Sequence, residues 1–217
     1  MTNMQRLTIF LLMLLSFNLC YSQGASLTKE ETVNYINKKL KDLVGYTSAW
    51  SNKTRVYILE NNFKSLGEGK YSYNEYWSNG KTKSIKDYEW VREDKMNGGY
   101  SGSKFERSFN AAYIKSITDA GVDSDNASIG KIKISFGSDA VKLDRTDYTQ
   151  TQKEHPNNRN FDYNWYYREY NTSSSSKLES YLILYYPKID SEDGKKLMKA
   201  LQYLVDLEKA EDDPFGN

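Results

Sequence analysis

Residues 71–91, YSYNEYWSNGKTKSIKDYEWV, decide the class of fold. Two β-rich runs, Tyr71–Trp77 and Thr82–Val91, flank Ser78-Asn79-Gly80-Lys81. Asn-Gly between such runs is the strongest short-range signal for a β-hairpin. Alternation puts Tyr71, Tyr73, Glu75 and Trp77 on one face and Ser72, Asn74 and Tyr76 on the other. On the second run Ile85, Asp87, Glu89 and Val91 alternate with Ser84, Lys86, Tyr88 and Trp90. Neither face is purely apolar, so burying both would strand a charge. The pattern predicts a hairpin at a sheet edge, with Trp77 or Trp90 partly in water.

More strand signals lie outward from this hairpin. Arg55–Leu59 is β-rich, and Lys104–Ile117 fits a strand or a helix. Lys131–Phe136 alternates cleanly, with Ile132, Ile134 and Phe136 facing in. Gly137-Ser138-Asp139 reads as a turn, after which Val141 and Leu143 continue that inward face on a partner strand. Gln150–Asn160 reads as a polar loop, Phe161–Tyr170 is aromatic-rich, and Asn171–Lys177 reads as a serine-rich turn. Tyr181–Tyr186 is apolar on both faces, as in a central or doubly covered strand.

Helices close both ends. Thr28-Lys29-Glu30-Glu31 is a capping box, and Val33, Ile36, Leu40 and Leu43 form an apolar stripe at helical spacing. Gly45 suits a left-handed stop after a helix over Lys29–Val44. Near the other end, Asp190 or Ser191 can cap a helix. Leu197, Met198, Leu201, Leu204, Val205 and Leu207 line one side of it, and Pro214 forbids its continuation. The expected fold is α+β: an antiparallel meander or partly closed barrel, flanked by an N-terminal and a C-terminal amphipathic helix. A bent meander closed by a C-terminal helix is similar in topology to PH-like domains.

The first 22 residues read as an export signal. Arg6 is the only charged side chain before Lys29. An apolar core of about 9–13 residues follows it, too short for the roughly 20 that span a bilayer. Cys20 and Ser22 fit the −3 and −1 places for cleavage before Gln23. Lipidation at Cys20 would want a small residue in place of Leu19. Cleavage leaves residues 23–217 as one domain with no thiol, no disulfide and no transmembrane anchor. About 195 residues can bury a sufficient core without staples. The expected location is outside the cytoplasm, in the periplasm or beyond the cell.

The chain carries 30 Lys and Arg against 29 Asp and Glu, interspersed in sign. A neutral chain with no basic cluster lacks the field that nucleic-acid binding needs. The compositional excess is tyrosine, 19 residues beside 8 Phe and 4 Trp. Tyr joins an apolar ring to a polar tip, so it suits half-exposed sheet faces and binding surfaces alike.

With the cleavage site before Gln23, the stretch LTKEETVNYINKKL (27–40) and the run KLMKALQYL (196–204) followed by DPF (213–215) resemble a group of small, uncharacterised secreted proteins of Gram-negative bacteria. The resemblance covers the two ends, about a quarter of the chain, rests on helix-forming patterns, and brings no activity with it.

Familiar catalytic patterns are missing. His155, the sole histidine, sits in the polar Lys153-Glu154-His155-Pro156-Asn157, and Gly99-Tyr100-Ser101-Gly102 places its second glycine one residue early for a nucleophile elbow. One His and no mature Cys make a zinc site unusual. Asp123-Ser124-Asp125-Asn126-Ala127-Ser128 begins like a calcium loop but has Ser128 in place of Gly and Ile134 in place of Glu, so it reads as an acidic turn. No catalytic, cofactor or metal residue is assigned. Glu75, Asp87 and Glu89 are the carboxylates best placed for a hydrolase acting on carbohydrate. The aromatic clusters stand out more. Trp77, Tyr88, Trp90, Trp165 and Tyr166 are the candidate ligand-binding residues, as a platform for a glycan, a lipid or a protein partner. The alternative for the same rings is cross-strand packing. The expected function is an exported, non-catalytic binding or structural module, with a secreted carboxylate-dependent hydrolase as the alternative.

Overall fold

The computed structural model describes residues 27–50, 53–80, 88–92, 101–154 and 165–212, with the backbone alone described at 88–92, 150–154, 165–170 and 212. The stretch read as an export signal, His155, Pro214 and the Thr82–Asp87 half of the expected hairpin lie outside the described residues.

Helix α1 spans Lys29–Lys41, three residues shorter than its apolar stripe suggests. Thr28 Oγ1 accepts from Glu31 N at 3.1 Å and Glu31 returns the contact to Thr28 N at 2.8 Å, completing the capping box. Thr32, Ile36 and Leu40 are buried one turn apart on one face. Strands follow: β1 (Thr47–Ala49), β2 (Arg55–Gly67), β3 (Lys70–Ser78), β4 (Tyr88–Arg92) and β5 (Ser101–Asn110). A 3-10 turn at Ala111–Tyr113 leads to β6 (Ile114–Val122), β7 (Ile129–Phe136), β8 (Val141–Glu154), β9 (Trp165–Glu179) and β10 (Tyr181–Pro187). Helix α2, Asp193–Asp212, closes the chain.

All strand pairs are antiparallel, and the fold is α+β. Seven strands form one sheet in the order β1-β2-β3-β5-β8-β9-β4, and three form a second in the order β10-β7-β6. The partly closed barrel does not form. Two separate sheets instead share one core with both helices. Ile36 and Leu40 of α1 meet Tyr73 of β3, Ile132 and Ile134 of β7, Leu182 and Leu184 of β10, and Leu197, Leu201, Leu204 and Val205 of α2. Phe63, Tyr71, Phe109 and Phe136 add an aromatic cluster, with ring centroids 5.3 to 6.3 Å apart.

Several sequence expectations are corrected here. The Tyr71–Val91 hairpin is replaced by longer-range pairing. β3 lies between β2 and β5, and among the described residues β4 pairs only with β9, three strands beyond β3. Asn79 meets Ser101 instead of closing a two-residue turn, with Asn79 N donating to Ser101 O at 3.0 Å and Ser101 N to Asn79 Oδ1 at 2.8 Å. The tight hairpin lies one strand earlier, where Gly67, Glu68 and Gly69 all have positive φ (84, 50 and 69°). β3 is therefore buried on both sides and not at an edge. On its polar face Asn74 Nδ2 bonds Asn62 Oδ1 at 3.1 Å and Ser72 Oγ at 3.2 Å, so these burials leave no polar group stranded.

Val141 and Leu143 are buried, but β8 crosses to the seven-stranded sheet instead of pairing with β7. Asn171–Lys177 is strand in register with β8 and not a turn, because its backbone is paired even though its side chains are exposed. β10 is an edge strand of the three-stranded sheet, not a central one. Its apolar character reflects cover on both faces: Leu182 and Leu184 point into the main core, while Tyr185 packs edge-on against Trp77 at 5.2 Å. Side chains also close its open edge at Tyr185. Tyr73 Oη accepts from Tyr185 N at 3.0 Å, and Asn61 Nδ2 donates to Tyr185 O at 2.9 Å.

Candidate functional site

A cavity of about 270 Å³ opens where β1, β3, β5, the end of β6 and β10 converge. Its walls are Trp50, Trp77, Phe105 and Tyr185, and its polar groups come from Ser48, Glu75, Arg107 and Asp123. Strand register assembles it. Glu75 lies directly opposite Phe105 on β5, so Arg107, two residues on, is its diagonal neighbour on the same face.

Glu75 is 2% exposed, yet it is not stranded. Its Oε2 accepts from Arg107 Nη1, and its Oε1 accepts from Trp77 Nε1 at 3.3 Å. Burial pushes the Glu75 carboxyl above the usual carboxylate range, and the Arg107 guanidinium and Trp77 pull it back. Burial works against the Arg107 charge, but Glu75, Tyr73 and Glu179 outweigh it and hold the guanidinium firmly protonated. Arg107 Nε is buried without a hydrogen bond among the described residues. The nearest carboxylate oxygen, Glu179 Oε2, lies 3.7 Å away. The Phe105 ring is flanked by the Arg107 and Arg145 guanidinium groups, each 5.3 Å from its centroid.

The other acid is committed locally. Asp123 Oδ1 accepts from Ser48 Oγ at 2.7 Å and from the backbone amides of Asp125 and Asn126, each at 3.1 Å. This is the acidic turn expected between two strands. Among the described residues no group of three His, Cys, Asp or Glu side chains is placed to hold a metal ion. Burial, with Glu75 next, pushes the Tyr185 hydroxyl up to about 12.

Of the five candidate residues, Trp77 lines this cavity and is 9% exposed, a buried wall and not the half-wet platform expected. The other four lie on the β4–β9 pair, where Trp90 faces Tyr167, Val91 faces Tyr166, Arg92 faces Trp165 and Tyr88 faces Glu169. Four strand steps separate β3 from β4, about 19 Å at roughly 4.8 Å per step. The two aromatic clusters of the sequence are thus joined differently: Tyr88 and Trp90 belong with Trp165 and Tyr166, and Trp77 stands apart from them. The side chains of those four, and of Glu89, lie outside the described residues, as does Asp87. Glu75 enters the cavity by the alternation read from its strand. Trp50, Phe105, Arg107 and Tyr185 carry no local signal that points to it.

No family model matches the chain, and no curated protein or solved structure matches it either. Among the described residues, no helix is long and apolar enough to cross a membrane.

Proposed function

We propose that this chain is an exported, non-catalytic binding module and that the Trp50–Trp77–Tyr185 cavity is its ligand site. The observation that carries this reading is the cavity itself. It combines aromatic walls with a few fixed polar groups, the usual make-up of a small-molecule site. Its size, just below the range of about 300–1,000 Å³ for drug-sized ligands, suits a single ring. The hydrolase alternative has less support. A catalytic carboxylate must reach substrate, and both oxygens of Glu75 are engaged by Arg107 and Trp77, while Asp123 holds its own turn together.

Two experiments test this. Export predicts a secreted protein whose first residue is Gln23, read by mass spectrometry; a retained Met1 or a lipidated Cys20 overturns it. For the site, ligand-observed NMR is run with water-soluble neutral, cationic and anionic fragments. Binders should lose their signal in Trp50→Ala and keep it in Tyr113→Ala, which removes a ring exposed elsewhere. If no fragment tells the two variants apart, the cavity is not a binding site.

A further inference from the structure

We propose that the cavity receives a quaternary ammonium group, the trimethylammonium end of a small organic cation, against the rings of Trp50, Trp77 and Tyr185. The proposal rests on the binding reading above and narrows its ligand class.

The polar groups of the lining are taken up by one another. Arg107 Nη1 and Trp77 Nε1 donate to the two Glu75 oxygens. Ser48 Oγ donates to Asp123 Oδ1, which also accepts from two backbone amides. Arg107 Nε is buried and presents no donor to the cavity. A ligand that depends on directional hydrogen bonds therefore finds few partners here, and a primary ammonium would bring three N–H donors to be satisfied. A quaternary ammonium brings none. Its charge is spread over methyl groups that need only ring faces and a negative field.

The cavity supplies both. Trp77 and Tyr185 meet at 71° with ring centroids 5.2 Å apart, so together they make a corner and not a flat stack. Trp50 adds a third wall. Its backbone is fixed at the β1–β2 turn, where Trp50 N donates to Thr54 O at 2.9 Å and Lys53 N donates to Trp50 O at 2.8 Å. The fourth ring, Phe105, already has the Arg107 and Arg145 guanidinium groups beside it, which leaves the other three for a ligand. The lining sets two carboxylates, Glu75 and Asp123, against one guanidinium, Arg107. The Tyr185 hydroxyl registers that imbalance. After burial, Glu75 raises it more than Arg107 lowers it, and Asp123 raises it again. A negative wall repels an anion and favours a cation over a neutral group of the same shape.

The test titrates tetramethylammonium chloride and choline chloride into the full chain at constant ionic strength. Neohexyl alcohol, in which carbon replaces the choline nitrogen, is the neutral comparison, and sodium acetate is the anion. Binding is read by intrinsic tryptophan fluorescence and saturation-transfer NMR. Both cations should bind in the millimolar range or tighter, and choline about tenfold more tightly than the alcohol. Trp50→Ala should weaken choline about tenfold. Asp123→Asn, which keeps an acceptor for Ser48 but removes the charge, should weaken choline and leave the alcohol unchanged. Circular dichroism shows whether each variant is folded; should Trp50→Ala fail to fold, Asp123→Asn and the alcohol decide. Phosphatidylcholine vesicles separate two sources of the same group: co-sedimentation that choline competes away assigns a lipid headgroup, and its absence assigns a free cation. Choline binding that Trp50→Ala leaves unchanged overturns the proposal, since the cation then sits elsewhere. Trp50-dependent binding of the alcohol or acetate as tight as that of choline overturns the cation assignment and leaves the binding module standing. If no probe binds, the cation assignment falls, and the fragment screen separately judges the cavity.

Discussion

Replacing Arg107 by Met removes the guanidinium, which lies over the Phe105 ring, while keeping most of the aliphatic stem. It leaves Glu75, 2% exposed, with the Trp77 Nε1 donor at 3.3 Å and the Tyr73 hydroxyl as its polar neighbours. Breaking a buried ion pair from one side costs about 3–5 kcal/mol, because the surviving charge is uncompensated. Glu75 can escape that cost by binding a proton. Its folded-state value, already raised by burial, rises further without Arg107, while in the unfolded chain it stays near 4.3. The stability it contributes is therefore fully present below about 4.3 and is lost as pH rises through the raised folded value. Relative to the parent protein, Arg107→Met should lose about 3–5 kcal/mol at pH 8 and less at pH 5. Within that window the gap narrows at up to about 1.4 kcal/mol per pH unit. The double variant Glu75→Gln with Arg107→Met removes both charges and should recover part of the loss at pH 8. Urea unfolding of the four proteins at the two pH values gives these numbers. A loss below about 1 kcal/mol, or one that is the same at both pH values, would show that the pair is not the desolvated contact described here.

Leu201, 2% exposed in the middle of α2, should cost about 2–5 kcal/mol when cut to Ala, and a change in urea stability under about 0.5 kcal/mol would mean the helix buries another face. Gly130→Ala places a methyl group 2.2 Å from Tyr186 Cζ, so β7 or the ring must move; a loss of about 1–3 kcal/mol is expected, and an unshifted urea midpoint would contradict this packing. In alkaline solution Tyr71, Tyr73 and Tyr185, all raised in the folded state, keep their protons while the unfolded chain releases them near pH 10. Stability present below that pH should then fall by about 1.4 kcal/mol per pH unit for each such tyrosine. Tyr73→Phe should show a shallower fall between pH 10 and 12 in chemical denaturation, and equal slopes for the variant and the parent would refute the assignment.

The parts of this fold that could be read from the sequence are those that depend on near neighbours. The Thr28–Glu31 capping box, the α2 stripe and the Ile132-Ile134-Phe136 alternation describe side chains four or fewer residues apart, and each forms as its spacing requires. What failed was the choice of strand partners. Asn79-Gly80 has the local chemistry of a hairpin turn, but β3 gains more by pairing along its length with β5, and Asn79 serves to start the connection. Gly67-Glu68-Gly69 offers two glycines where positive φ is needed, a signal of the real turn that the sequence did contain. The serine run from Ser173 to Ser176 reads as a turn by composition, yet backbone pairing with β8 overrides the low strand preference of serine. The burial of Glu75 was illegible for the same reason. An unpaired carboxylate argues for an edge, and its partner Arg107 lies 32 residues away.

The side-chain closure of the β10 edge also has a consequence for the order in which the chain can fold. Tyr73 meets Tyr185 across 112 residues, Asn61 meets it across 124, and Tyr71 meets Glu208 across 137. The seven-stranded sheet thus cannot finish one side of its core until the last strand and helix have been synthesised. Contacts this distant make folding slow, and until they form the apolar faces of β3, β5 and β7 stay uncovered. Until β10 and α2 arrive, the chain has no complete core to fold around. A chain truncated before Asp193 should therefore stay unfolded, which far-UV circular dichroism would show.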